Sequence, residues 1–195
     1  MEGEGTRVSS QSDSLARAEL DLVNRAKDGD SGAFGDLVRL HRRGVVNVVY
    51  RMCGDAVLAE DAAQEAFVRA WQRIDRYEPR AAFRSWLYRI ASNAALDALR
   101  RQRETVDIDG LRLASTGAGP EERAESADRE NVVRQAVLAL PPASRAVLVL
   151  REYEQLSYRE IADALSIPMG TVMSRLNYAR NRLRRALAPY LEQQL

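Results

Sequence analysis

From residue 15 onward, apolar residues return every three or four positions and nowhere alternate for long, so the pattern predicts helices and no strand ladder. A short first helix over 15–27 ends at Asp28-Gly29-Asp30. A second, over 31–52, puts Phe34, Leu37, Val38, Val45, Val48 and Val49 on one side and stops at Gly54-Asp55. A third covers 58–74, a loop with Tyr77 and Pro79 follows, and a fourth covers 83–103 with Phe83, Trp86, Leu87, Ile90, Ala94 and Ala98 facing inward. The periodicity then lapses. Residues 105–128 hold Gly110, Gly117, Gly119 and Pro120 among scattered acids, which reads as a linker. Helices resume over 127–140, and Pro142 suits the first turn of another that runs to about residue 152. The expected architecture is all-α: a disordered tail at 1–14, a small helical domain at 15–103, a flexible acidic linker at 104–126 and a second helical domain at 127–195.

The second domain carries a denser signal. Ser157-Tyr158-Arg159-Glu160 has the spacing of a capping box and opens a short helix with Ile161, Ala162 and Leu165 on one side. Ser166-Ile167-Pro168 turns the chain. In the next helix Val172, Leu176, Ala179, Leu183 and Leu187 form one apolar stripe, while Met173, Ser174, Asn177, Asn181, Arg184 and Arg185 point the other way. A short helix, a tight turn and a longer helix with a basic outer face is the layout of a DNA-reading helix-turn-helix. Asn177 can pair bidentately with adenine and Ser174 can reach bases or phosphates. Arg175, Arg180, Arg182, Arg184 and Arg185 are phosphate candidates. The plain alternative is a helical hairpin with a solvated arginine face.

Charge sharpens this picture. The net charge of +1 hides a segregation. Residues 80–103 hold six Arg and one Asp, residues 104–130 hold eight acids and three Arg, and residues 171–185 hold five Arg and no acid. Two basic helices thus flank an acidic spacer. Of the 29 basic residues only Lys27 is lysine, which genomic base composition can explain, although it does not explain where the arginines sit. A single cysteine, Cys53, and a single histidine, His41, exclude an intramolecular disulfide, a Cys-rich zinc site and paired-histidine metal sites. His41, beside Arg42 and Arg43, reads as a solvated side chain, and Cys53 as a buried structural thiol. Gly29, Gly32 and Gly35 lack the lysine and strand of a phosphate loop. No run approaches the ~20 apolar residues of a membrane span, and the polar start has no apolar signal stretch. No enzyme, no metal and no cofactor are expected, and the expected location is cytoplasmic.

Two helices of the first domain carry further candidates. In AEDAAQEAFVRAW, residues 59–71, Asp61, Gln64, Glu65 and Val68 share a face with Gln72, opposite Ala63, Phe67, Ala70 and Trp71. The acidic and amide ridge suits a basic partner surface, or is simply solvated. In FRSWLYRIASNAALDALRRQR, residues 83–103, Arg89, Asn93, Arg100 and Arg103 occupy a flank, with Tyr77 in the preceding loop. Aromatics beside Asn and Arg are what an unstacked base and its phosphate require. A structural Trp86 and Tyr77 in a helical bundle is the alternative.

Together these segments resemble the sigma subunits of bacterial RNA polymerase, of the small extracytoplasmic-function class. The block 59–71 resembles the helix that docks on the clamp of the polymerase largest subunit, 83–103 the segment that melts and holds the promoter −10 element, and LPPASRAVLVLREYEQLSYREIADALSIPMGTVMSRLNYARNRL, residues 140–183, the −35-reading domain. The resemblance implies a core-binding set of Asp61, Gln64, Glu65, Val68 and Trp71, with Trp71 supporting from the buried side. It implies a −10 set of Tyr77, the following loop with Arg80, Arg89, Asn93, Arg100 and Arg103. It implies a −35 set of Ser174, Arg175, Asn177, Tyr178, Asn181 and Arg184. Met173 and Tyr178 stand where members often carry basic residues. Core RNA polymerase, duplex −35 and melted −10 promoter DNA and an anti-sigma factor are the implied partners. With its last helix close to Leu195, the chain is expected to lack the extra C-terminal domain of some members. The rival reading is an autonomous helix-turn-helix transcriptional regulator.

Overall fold

The computed structural model describes residues 5–79, 82–109 and 124–192. Among these every regular element is helical: α1 (Gly5–Lys27), α2 (Ser31–Cys53), α3 (Ala56–Trp71), α4 (Phe83–Asp109), α5 (Ala124–Leu138), α6 (Pro142–Leu148), α7 (Tyr158–Leu165) and α8 (Met169–Glu192). A 3-10 turn, Ile74–Arg76, follows α3, and a π-helical turn, Val149–Tyr153, prolongs α6.

Local chemistry sets the helix ends. Asp30 caps α2 by accepting from the Ala33 N–H at 3.0 Å, and Asp55 caps α3 by accepting from Leu58 at 2.8 Å. Between them Gly54 takes φ +77° and returns its N–H to the Tyr50 carbonyl, so α2 stops and α3 starts within two residues. Two ends differ most from the sequence expectation. α1 reaches back to Gly5 rather than starting at residue 15, because no proline interrupts the Ser/Gln-rich stretch before it. α4 runs past Arg103 to Asp109, since nothing in Glu104–Asp109 breaks a helix before Gly110.

Helices α1–α4 pack into the first bundle around Val23, Leu37, Val45, Val48, Val49, Met52 and Leu87. The fully buried positions of α3 are all alanine, Ala59, Ala62, Ala63, Ala66 and Ala70, which lets α2 and α4 approach closely. His41 is not solvated as expected. Its side chain is 10% exposed, Nε2 lies 2.6 Å from Glu19 Oε1 on α1, and the ring packs on Phe83. Cys53 is half-buried, and burial pushes its thiol up to about 11, which suits an inert structural side chain.

Helices α5–α8 form the second bundle, with Leu148, Leu150, Leu156, Ile161, Val172, Leu176 and Ala179 buried. Ser157 and Glu160 form the full capping box of α7. The α7–α8 turn passes through Ser166 at φ +53°, a left-handed conformation that glycine would adopt without strain.

The two bundles touch. The α5–α6 region rests against the end of α2, and α7 lies along α4. At the first seam the Arg145 guanidinium, 7% exposed, donates to the carbonyls of Met52, of Leu138 at 2.6 Å and of Leu140 at 3.0 Å. It thereby satisfies the C-terminal carbonyls of two helices at once.

Candidate nucleic-acid interface

The outer face of α8 is built by the buried stripe behind it. With Val172, Leu176 and Ala179 in the core, Ser174, Asn177, Tyr178 and Arg184 stand exposed, and Arg175 and Asn181 are half-buried at the edges. The polar groups are ordered among themselves. Arg184 Nη1 donates to Asn181 Oδ1 at 3.1 Å, Asn181 Nδ2 donates to Asn177 Oδ1 at 3.3 Å, and the Ser174 hydroxyl donates to the Thr171 carbonyl at 3.1 Å. The Asn177 amide is therefore held with its NH2 group free to face a base edge, and its oxygen keeps a second lone pair. Arg180 differs from its neighbours. It pairs with Glu152 of the π turn at 2.7 Å, which braces α8 rather than leaving the guanidinium for a phosphate.

On α4, Trp86, Asn93 and Arg100 recur every seven residues and share one line, with Arg89 on its flank. Asn93 and Arg100 are exposed, and Trp86 is half-buried. Arg89 is exposed, yet its Nη2 donates to the Ser166 hydroxyl of the second bundle at 3.2 Å. Tyr77 is placed otherwise than a base-stacking ring requires. It is 4% exposed, meets Phe83 edge-on at 5.4 Å and lies 5.4 Å from Trp86. Burial raises its phenol pKa. Tyr77 thus supports the ring of Trp86 from beneath. Arg80 lies outside the described residues, and for Arg103 only the backbone is described.

On α3, Asp61, Gln64 and Val68 all face solvent, Val68 at 56% exposure. Glu65 shares their side but is engaged within the bundle: it pairs with Arg69 at 2.6 Å and Arg101 at 3.1 Å, and Arg69 pairs in turn with Asp97 at 3.2 Å. Trp71 sits on the opposite side, half-buried, its ring 4.9 Å from Phe34.

The sequence reading missed the groups that join the bundles. Arg145 had a signal, being a lone charge inside the apolar run Ala143 to Leu150. Glu154 and Ser85 had none, because their partners are remote in sequence. Among the described residues no cluster of His, Cys, Asp and Glu could hold a metal ion, and no helix is long and apolar enough to cross a membrane.

Both bundles have relatives among known proteins. Residues 37–105 match the family described as Sigma-70 region 2, and residues 130–187 match Sigma-70, region 4. The chain is 36% identical over 176 residues to the ECF RNA polymerase sigma factor SigW of Bacillus subtilis (strain 168), a match spanning 85% of this chain and 94% of the relative. It is 34% identical over 183 residues to the ECF RNA polymerase sigma-E factor of Escherichia coli (strain K12), spanning 87% and 94%. Its fold is similar to that of CnrH in complex with the cytosolic domain of CnrY, with a TM-score of 0.67 and 27% identity over 88% of this chain and 98% of that one. It is also similar to the sigma factor RpoE in complex with the anti-sigma factor NepR from Bartonella quintana, with a TM-score of 0.66 and 25% identity over 80% and 96%. The chain belongs to the extracytoplasmic-function sigma factors of bacterial RNA polymerase.

Proposed function

We propose that this sigma factor divides promoter selection among three faces. The ridge of Asp61, Gln64 and Val68 docks on core polymerase. The Trp86, Asn93 and Arg100 line of α4, with Arg89, holds melted −10 DNA, together with Arg80 and Arg103, which flank this stretch in the sequence. The α8 face enters the −35 major groove. The observation that carries the reading is the ordered polar ladder of Arg184, Asn181 and Asn177 on a helix whose other side is core. Such a ladder presents an adenine-reading amide next to a phosphate-binding guanidinium. Ser174, Arg175 and Tyr178 border it, and Tyr178 contributes an exposed ring where thymine methyls can pack.

The chain itself supplies specificity and leaves RNA synthesis to its partner. An anti-sigma factor is the second partner proposed. The Bartonella quintana relative is in complex with one, and the faces on α4 and α8 are exposed and strongly basic in the same way that such a partner must cover.

The test is a salt titration of holoenzyme on promoters altered singly across the −35 element. Asn177→Ala is expected to lose about 1–3 kcal/mol of discrimination at one position. Arg184→Ala is expected to weaken all sequences alike and to lower the salt slope by roughly one. Wild-type base preference in Asn177→Ala holoenzyme would remove Asn177 from the reading set.

A further inference from the structure

A column of rings links α2 to the exposed edge of α4. The ring of His41 lies 5.5 Å from that of Phe83, Phe83 lies 5.4 Å from both Tyr77 and Trp86, and Tyr77 lies 5.4 Å from Trp86, centre to centre. Phe83 and Tyr77 are buried, and Trp86 emerges half-buried at the head of the line it forms with Asn93 and Arg100. Helix α1 grips this column at two points. Glu19 Oε1 lies 2.6 Å from His41 Nε2, and the Lys27 ammonium donates to the Tyr77 carbonyl at 3.0 Å. The Glu19 charge bears on Tyr77 as well, adding to burial in raising the phenol pKa. The gripping helix, Gly5–Lys27, stands wholly outside residues 37–105, the segment matched to Sigma-70 region 2.

We propose that α1 is the strut of the −10 site: Glu19 and Lys27 are positioning residues that fix the ring of Trp86, through His41, Phe83 and Tyr77, in the orientation that receives an unstacked base. The inference rests on the −10 reading of α4 above and adds to it residues that touch no DNA.

Placement matters because a tryptophan at a surface edge is held by what packs behind it. An unstacked base gains from a ring already in place, since less side-chain freedom is lost on binding. Close packing carries that placement inward: a shift of Tyr77 or Phe83 either opens a gap under Trp86 or pushes it off its rotamer. Tyr77 sits where the 3-10 turn gives way to extended backbone, with its N–H on the Ile74 carbonyl at 3.1 Å and its own carbonyl on Lys27. At the far end of the column, the hydrogen bond between Glu19 and one ring nitrogen sets the tilt of the His41 imidazole. Attachment of α1 to the bundle is a separate matter. Val23 and Ala26, each 1% exposed, supply its core face. Glu19 and Lys27 can therefore be altered while that face stays intact.

The experiment uses the full-length chain, alone and in holoenzyme. The chain has two tryptophans, so Trp71→Phe leaves Trp86 as the only indole emitter in the free protein. In that background Glu19→Leu combined with Lys27→Met is expected to shift Trp86 emission to the red and to raise its quenching by acrylamide. Glu19→Gln alone keeps an oxygen that accepts from His41 and is expected to emit like its parent. In holoenzyme with Trp71 restored, the Glu19 and Lys27 double variant is expected to open a duplex promoter about five- to ten-fold more slowly, at unchanged core affinity. On a template with a pre-melted −10 bubble its permanganate reactivity is expected to be near-normal. Val23→Ala is the comparison for plain loss of stability. It is expected to lower the urea midpoint while leaving Trp86 emission and promoter opening unchanged. Unmoved Trp86 emission in the folded double variant overturns the proposal, as does wild-type opening of the duplex. So does an equal defect in Val23→Ala, or a defect that persists on the bubble, because either traces to folding rather than to placement. Failure of the −10 reading itself looks different: Trp86→Ala holoenzyme then opens the duplex promoter at the wild-type rate.

Discussion

Arg145 shows what a single side chain does when its position is chosen by packing. A guanidinium taken out of water must find acceptors, and here they are helix-terminal carbonyls at Met52, Leu138 and Leu140. Arg145→Met keeps most of the volume but strands those carbonyls. It is expected to cost roughly 2–4 kcal/mol in urea denaturation, and Arg145→Lys is expected to recover little because one ammonium cannot reproduce the fork. Asn93 is the opposite kind of residue. It is exposed and its loss exposes nothing, so Asn93→Ala is expected to leave stability and core binding intact. Permanganate footprinting should show weaker opening of a duplex promoter and near-normal reactivity on a template with a pre-melted −10 bubble, where unpairing is no longer required. Equal opening of both templates would remove Asn93 from the −10 set. Tyr77 and His41 were misread from sequence for one reason. Each lies in a polar stretch, and only tertiary packing, on Phe83 in both cases, buries it.

At the scale of elements the sequence was most legible where a helix end has its own chemistry. The Ser157 and Glu160 spacing announced α7, Gly54-Asp55 announced the break between α2 and α3, and the apolar stripe of α8 located its outer face. Ends without such a signal were missed, as at Gly5 and Asp109. The capping box also titrates. Partial burial of Glu160 opposes its charge, but hydrogen bonds from the Ser157 backbone and hydroxyl and from the Ser85 hydroxyl outweigh that and hold its pKa below the usual carboxylate range. With a folded pKa below the unfolded one, the stabilisation is complete above the ordinary range near ~4.3 and is lost as pH falls through the folded value. Glutamine preserves the cap geometry without the charge. Wild type is therefore expected to be more stable than Glu160→Gln at pH 7, and the gap should close as pH falls below the ordinary carboxylate range. Thermal melts of both proteins across that range measure it; a gap independent of pH would mean that the carboxylate charge contributes nothing.

The whole molecule is where sequence patterns say least, because a period within one helix carries no information about which distant helix it meets. The blocks of charge marked which helices are basic, and the spacing on α3 marked a ridge, but neither showed that Glu65 is occupied internally. That difference decides how docking should be probed. Glu65 joins α3 to α4 through Arg69 and Arg101, so reversing its charge disturbs the bundle as well as any partner. Asp61 and Val68 carry no such duty: both face water, one charged and one apolar. A basic, partly apolar polymerase surface would gain from both, through charge complementarity at Asp61 and desolvation at Val68. Asp61→Lys combined with Val68→Ala is expected to weaken core binding by about 1–3 kcal/mol while leaving the urea midpoint unchanged. Glu65→Lys is expected to lower the urea midpoint, so that any loss of core affinity it causes cannot be assigned to the interface. Competition against labelled wild type for core polymerase separates the two. If the Asp61 and Val68 double variant competes as well as wild type, the ridge lies outside the docking surface, and the polymerase contact must be sought on the α2 side of the bundle, where Arg39, Arg42 and Arg43 line an open groove.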